Sequence, residues 1–349
     1  MEKNRKKIIG NGLLFAAVLA LTLYAVFRGQ DLGDILEAIR GCDERWLLPA
    51  LACVVVFIWG ESVIVRLLLR SCGRRLSGLR CFLVSAVGFF FSAVTPSAGG
   101  GQPMQVYFLR REKIPIPVAA VTLMAVTITY KLVLVIVGLG LTLVYPEFLQ
   151  THFDETMFLF WIGLTLTVGW TALLLMLVFH QHLARVLLER GLGLLQKLHI
   201  LRRKQSHREK LLAAMEKYSE TAAYFRTHIG LMALVLVITF VQRFALFTVP
   251  WLVYRAFHLT GYTWLSIVAL QAVIAVAADM LPLPGGLGVT EMLFLTVFAP
   301  VFGALTLPGM VLSRGLDFYC RLALSAIFTV VAAAVLGRHR DQEIEDSTQ

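Results

Sequence analysis

The chain has 349 residues, of which 58% are hydrophobic and 15% charged, with a mean hydropathy of +0.76. A soluble globular domain holds roughly 45–50% apolar residues, so that class is excluded and an all-α polytopic membrane protein is expected. Lysine and arginine outnumber aspartate and glutamate 32 to 22, a net charge of +10. Where that excess sits reads out topology, because cytoplasmic loops collect Lys and Arg.

Apolar runs of about 20 residues, the length that crosses a bilayer, fall at 8–27, 46–69, 116–145, 156–179, 229–257 and 308–336. Six full transmembrane helices are therefore predicted. The first follows the basic opening MEKNRKK and carries no small-residue cleavage site, so it reads as a retained helix with a cytoplasmic N-terminus. Residues 28–45 are acid-rich and are placed outside. RSCGRRLSGLR (70–80) has four arginines and no acid, and LRREK (109–113) is basic again, so both are placed inside. The segment between them must leave and return to one side. Its first limb, 81–95, reaches about 22 Å as a helix, short of a ~30 Å hydrocarbon core. A re-entrant hairpin over 81–110 with PSAGGGQP at its tip is thus expected, although two short crossings satisfy the same charge pattern. Broken backbone at that depth survives only when packed in protein or lining a wet cavity.

The run 116–145 then goes out, the acidic PEFLQTHFDET stays outside, and 156–179 returns, completing an N-terminal membrane half over 1–180. Residues 181–228 read as a cytoplasmic basic connector with apolar residues at helical spacing. It serves either as a solvated link or as a face for anionic headgroups. The C-terminal half, 229–337, repeats the pattern with a second re-entrant hairpin at 263–305, and 338–349 is a cytoplasmic tail. At a constant offset of 186, Pro96 meets Pro282, Gly99 and Gly100 meet Gly285 and Gly286, Gln105 meets Glu291, and Phe108 meets Phe294. Two such breaks dipping from opposite sides make inverted repeats, the pattern of transporters whose discontinuous helices meet near the bilayer midplane.

Half-helices starting after a glycine-rich break offer free N–H groups and a positive dipole end to phosphate or carboxylate. Charge at depth is costly, about 2.5–3.5 kcal/mol per residue on insertion scales, so the few ionisable residues within spans are candidates. They are Lys131, Arg243, Asp279 and Glu291, with Glu61 deep in its own span, and Arg314, Asp317 and Arg321 along one helical stripe, where Asp317 neutralises one arginine and leaves the other available. Arg314, Arg321 and Lys131 are expected to hold a phosphate, and Glu291 and Asp279 to meet a positive headgroup. The alternative for any one of them is a pair that holds the bundle together. Arg66 and Arg255, near span ends, are expected to snorkel, and Gln102, Gln105 and Gln242 either bind a headgroup or bridge helices.

The five cysteines show no CxxC pair and no metal-ligand spacing, so no disulfide framework, metal site or cofactor is expected. Nucleophile-elbow, HExxH and phosphate-loop motifs are absent, which makes an enzyme reading poor. A lipid-modifying enzyme with Asp279 or Glu291 as base, and a non-catalytic scaffold, stay as alternatives.

TPSAGGGQPMQVYFLRR, followed by IPIPVAAVTLMAVTITYKLVLVIVGL and later LPLPGGLGVTEMLF, resembles the lysylphosphatidylglycerol synthase transmembrane-region family of flippase-like membrane proteins over nearly the whole chain. The resemblance implies one re-entrant tip built from Pro96, Gly100, Gln102, Pro103 and Gln105, to which the glycine run read above adds Gly99 and Gly101. It implies a second from Pro284, Gly285, Gly286, Gly288 and Glu291, to which the internal alignment adds Pro282. It further implies a phospholipid translocator, flippase or scramblase, of a bacterial-type plasma membrane, moving an anionic or aminoacylated lipid such as lysylphosphatidylglycerol, with a role in antibiotic resistance. Membrane phospholipid is the expected partner, nucleic acid and metal are not, and a homo-oligomer or a separate lipid synthase is left open. Many relatives carry an acidic residue where this chain has Gln102. The soluble aminoacyl-transferase domain implied by the family's name is not expected after GRHRDQEIEDSTQ.

Overall fold

A computed structural model describes residues 32–144, 156–179 and 205–336, together with Tyr24 and Glu147. Apart from those two residues, the first expected span (8–27), the acidic 146–155 stretch, the connector segment 181–204 and the tail 338–349 lie outside the described residues. Within them the chain is all helical. In order, the helices are α1 (Leu32–Arg40), α2 (Leu47–Ser71), α3 (Gly78–Val94), α4 (Gly101–Arg111), α5 (Ile116–Val144), α6 (Met157–Phe179) and α7 (Gln205–Thr227). They continue with α8 (Ile229–Ala256), α9 (Trp264–Ala278), α10 (Val289–Val297), α11 (Thr306–Arg314) and α12 (Arg321–Val335), the last two joined by a π-helical turn, Gly315–Cys320.

Among the described residues five helical stretches are long and apolar enough to cross a membrane: Glu44–Ser71, Ile116–Val144, Met157–Phe179, Ile229–Ala256 and Ala299–Val335. They match five of the six runs read from hydropathy, and the sixth is the undescribed first. Large apolar side chains stay outside the bundle, among them Trp59, Phe158, Val237 and Val330. That arrangement would be a liability in water and is ordinary when lipid is the solvent, where polar groups collect inside instead.

The short helices α3, α4, α9 and α10 have 17, 11, 15 and 9 residues, so even α3 reaches only about 26 Å. Each outgoing limb starts at a hydroxyl cap: Ser77 accepts the Arg80 N–H at 3.3 Å, and Thr263 accepts the Ser266 N–H at 3.2 Å. These caps satisfy donors that a helix start leaves orphaned, and they are 186 residues apart, the same offset that aligns the two breaks. A long helix, a broken short pair and a second long helix therefore occur twice in the same order: α2, α3–α4, α5 and then α8, α9–α10, α11–α12.

The two units interlock. α2 packs along α8, α3 lies against α12, and α9 lies against α5, so each outgoing limb is seated on the other unit's long helix. The tips themselves meet, Pro96–Ala98 against Pro284–Gly286. Close backbone approach by small residues permits this: a Cβ on Gly163 of α6 would sit 2.4 Å from the Val276 carbonyl of α9. The main apolar core lies between α2, α8 and α9 and includes Phe57, Phe160, Tyr254, Phe294 and Phe298.

Candidate functional site

The first tip is closed by Thr95. Its hydroxyl donates to the Phe91 carbonyl at 2.6 Å and accepts the Gly100 N–H at 2.9 Å. Behind it α3 and α4 pack without room for a further carbon, since a Cβ on Gly101 would lie 2.1 Å from Ser92 Oγ, and one on Gly88 would lie 2.3 Å from Gln105 Nε2. Gln105 is thereby pressed out of the hairpin toward α2, where its Nε2 donates to Glu61 Oε1 at 2.7 Å. Gln102 stays exposed at the tip and donates to Thr127 Oγ1 on α5, while Pro103 is exposed beside it. Gly88→Ala is expected to dislodge the Gln105 carboxamide and free Glu61, at a cost of about 1–3 kcal/mol as an overpacking change. A melting temperature equal to the wild type's in detergent would contradict that contact.

The second tip needs left-handed backbone at Gly285 (φ 60°) and Gly288 (φ 85°), a region that costs other residues about 1–2 kcal/mol. Gly288 then opens α10, and Glu291 reaches back so that its Oε2 accepts the Gly288 N–H at 2.7 Å, the acid half of a capping box. The helix start expected to await an external anion is thus occupied by the chain's own carboxylate. Glu291 Oε1 accepts from Arg314 Nε at 2.7 Å, Arg314 Nη1 lies 3.4 Å from Asp317 Oδ1, and Nη2 donates to the Gly285 carbonyl at 3.4 Å. Arg314 also stacks on Phe318, its guanidinium 4.7 Å from the ring centre. One buried arginine therefore ties the second tip to the last span. The remaining tip residues, Pro96, Gly99, Pro282, Pro284 and Gly286, shape the turns and bring no side-chain chemistry.

Lys131 and Asp279, 148 residues apart, form an ion pair at 2.5 Å, with Met280 Sδ 3.2 Å from the same amine. Two of the three cations expected to hold phosphate, Lys131 and Arg314, are thus already matched with carboxylates. Two other arginines, Arg243 and Arg321, have no carboxylate within ion-pair distance among the described residues. Arg243 is buried, donates to the Tyr130 hydroxyl at 2.6 Å, lies over the Tyr130 and Phe247 rings at 4.0 and 5.2 Å, and leaves Nε without a partner. Arg321 is half-buried and lies 5.1 Å over Phe57. The ionisable groups around it are Asp317, Glu61, Tyr130, Arg314 and Arg243. Aromatic faces attract a guanidinium without neutralising it, so neither charge is held in an ion pair.

Tyr130, which hydropathy gives no reason to single out, is where the network converges. It bonds Arg243, faces Lys131 at 5.7 Å, and neighbours Arg321. The signal open to sequence reasoning was its position beside Lys131 in an otherwise apolar run. Gln242 does not join the charges. Its side chain lies within 3.2 Å of where a Cβ on Gly60 would stand, and the two residues line an apolar groove of about 290 Å³ with Val55, Trp59, Val63 and Val241 between α2 and α8. Arg255 lies over Trp46 and bonds the Leu259 carbonyl at the end of α8. Among the described residues no group of three or more His, Cys, Asp or Glu is placed to hold a metal, and the five cysteines are unpaired.

Residues 9–325 match the family model described as the lysylphosphatidylglycerol synthase TM region. A relative named as a UPF0104 membrane protein, from Methanothermobacter thermautotrophicus, is 29% identical over 112 residues. That alignment spans 32% of this chain and 30% of the relative, less than a third of either.

Proposed function

The chain belongs to the family of lysylphosphatidylglycerol synthase transmembrane regions, and from that membership and the buried charged network we propose that it moves a phospholipid between leaflets of a bacterial-type plasma membrane. The match is to the transmembrane region, which handles lipid without the aminoacyl-transferase chemistry in the family's name. The observation that carries the reading is the pair Arg243 and Arg321, two guanidiniums within the spans that, among the described residues, no carboxylate holds in an ion pair. A charge so placed is expensive and is kept where it meets a substrate.

On this reading a phosphodiester binds both guanidiniums, with the Tyr130 hydroxyl donating a third contact. The acyl tails stay in lipid, and the groove beside Gly60 and Gln242 offers an apolar channel next in sequence to Glu61 and Arg243. The pairs Lys131–Asp279 and Arg314–Glu291 are contacts that a lipid with a cationic headgroup, such as lysylphosphatidylglycerol, exchanges for its own amines. The two units, each a long helix and a broken pair followed by a long helix, act as inverted halves around the meeting tips. Both termini are cytoplasmic, and rocking of one half alternates access.

In liposomes, the purified protein is expected to accelerate leaflet exchange of labelled phosphatidylglycerol or its lysyl ester. Arg321→Gln is expected to lower the rate by about 100-fold, as loss of a charge-assisted contact of about 2–3 kcal/mol implies. Absence of movement for anionic, zwitterionic and aminoacylated lipids alike would favour a scaffold in which the packed tips serve only the fold. An enzyme based on Asp279 or Glu291 has less support, since each carboxylate is held by a cation.

A further inference from the structure

We infer that Glu61 is a proton-binding site linked to anion binding, so that an anionic phospholipid and a proton occupy the protein together. The inference rests on the headgroup reading above and adds its coupling. Away from the span ends, where Arg66 and Arg255 lie, four carboxylates face four cations among the described residues. Asp279 is matched with Lys131, and Glu291 and Asp317 share Arg314. Glu61 differs: its direct partner is the neutral Gln105 carboxamide at 2.7 Å, and its charged neighbour is Arg321. The other ionisable groups around Arg321 are Asp317, Arg314, Tyr130 of α5 and Arg243 of α8.

Counting all eight groups as ionised, the network is neutral, with Glu61 and the spare carboxylate of the Arg314 trio balancing Arg243 and Arg321. A phosphodiester that binds those two arginines brings one negative charge into a medium that tolerates none unmatched. Neutrality returns when one carboxylate takes a proton, and Glu61 is built for that step. A carboxamide donates through its nitrogen to a carboxylate and accepts through its oxygen from a carboxylic acid, so Gln105 serves both protonation states. Lys131 and Arg314 offer no acceptor to a protonated Asp279 or Glu291. The phosphate also draws Arg321 away from Glu61, which favours the protonated form.

The bound state then holds one more proton than the free state, and linkage fixes the sign: affinity for the anion rises as pH falls, by up to about tenfold per pH unit. The test is binding of dihexanoyl phosphatidylglycerol to the full-length protein in detergent between about pH 5 and about pH 9, by calorimetry in two buffers of different ionisation enthalpy, which reports protons taken up per lipid bound. Wild type is expected to bind more tightly at low pH with uptake approaching one proton. Glu61→Gln, which fixes the neutral state, is expected to bind at high pH as tightly as wild type at low pH, with no uptake. Glu61→Asp is expected to restore the pH dependence. Wild-type affinity that is flat with pH, or pH dependence that persists in a folded Glu61→Gln, overturns the proton site while leaving the headgroup site in place. Should wild type fail to bind the lipid at every pH, the headgroup reading falls, and this inference with it.

Discussion

Arg314→Ala is expected to be the most damaging single change in the membrane core, costing about 3–5 kcal/mol, the range for removing one partner of a buried ion pair. The residue is 6% exposed, and its guanidinium contacts Glu291 at 2.7 Å, Asp317 at 3.4 Å and the Gly285 carbonyl at 3.4 Å. Alanine leaves Glu291 with the Gly288 N–H as its remaining contact and withdraws from Asp317 its ion-pair partner. It also releases the second tip from the last span. Thermal melting in detergent checks this, and a loss below about 1 kcal/mol would show that the trio is dispensable. The double variant Arg314→Gln with Glu291→Gln keeps a neutral hydrogen-bonding pair and is expected to recover part of the stability, since removing both charges avoids the unmatched one. Lipid movement in liposomes is expected to stay lost in both.

Gly285→Ala is expected to cost about 2–4 kcal/mol, combining left-handed backbone strain with overpacking. Its φ is 60°, and a Cβ there would lie 2.2 Å from Phe318 Cε2. Phe318 is buried and carries the Arg314 guanidinium on its face, so the displacement reaches the ion-pair trio as well. Gly99 occupies the same place in the first tip at the offset of 186, and it supplies the control. Its φ is −68°, it is exposed, and an added Cβ meets nothing nearer than the Pro96 carbonyl at 3.5 Å. Gly99→Ala is expected to change stability by less than about 0.5 kcal/mol. Equal losses at the two glycines, in melting or in liposome transport, would mean that the tips are equivalent after all.

That contrast shows where reading the chain in one dimension stops. Two glycines that align in sequence differ in backbone conformation because one tip is closed by a threonine side chain, Thr95, and the other by three left-handed glycines and a carboxylate from the following helix. The π-helical turn at Gly315–Cys320 is another case. Such a turn adds a residue to the helical repeat, so the straight stripe expected of Arg314, Asp317 and Arg321 is interrupted. Arg314 keeps Asp317, while Arg321 lies over Phe57 of α2 beside Glu61.

Five of the spans, the two proline–glycine breaks and the presence of buried charge were legible in the residues themselves. Bilayer thickness imposes a local length rule, broken backbone at depth advertises itself through proline and glycine, and ionisable residues stand out against an apolar run. Which charges cancel was decided by tertiary structure alone. Lys131 finds Asp279 across 148 residues and Gln105 finds Glu61 across 44, because the tips meet and each outgoing limb packs on the other unit's long helix. Electrostatic matching depends on distances of a few ångströms between helices. Hydropathy and spacing along one helix carry no record of those distances, and so the two arginines that make no ion pair among the described residues emerged only from the fold.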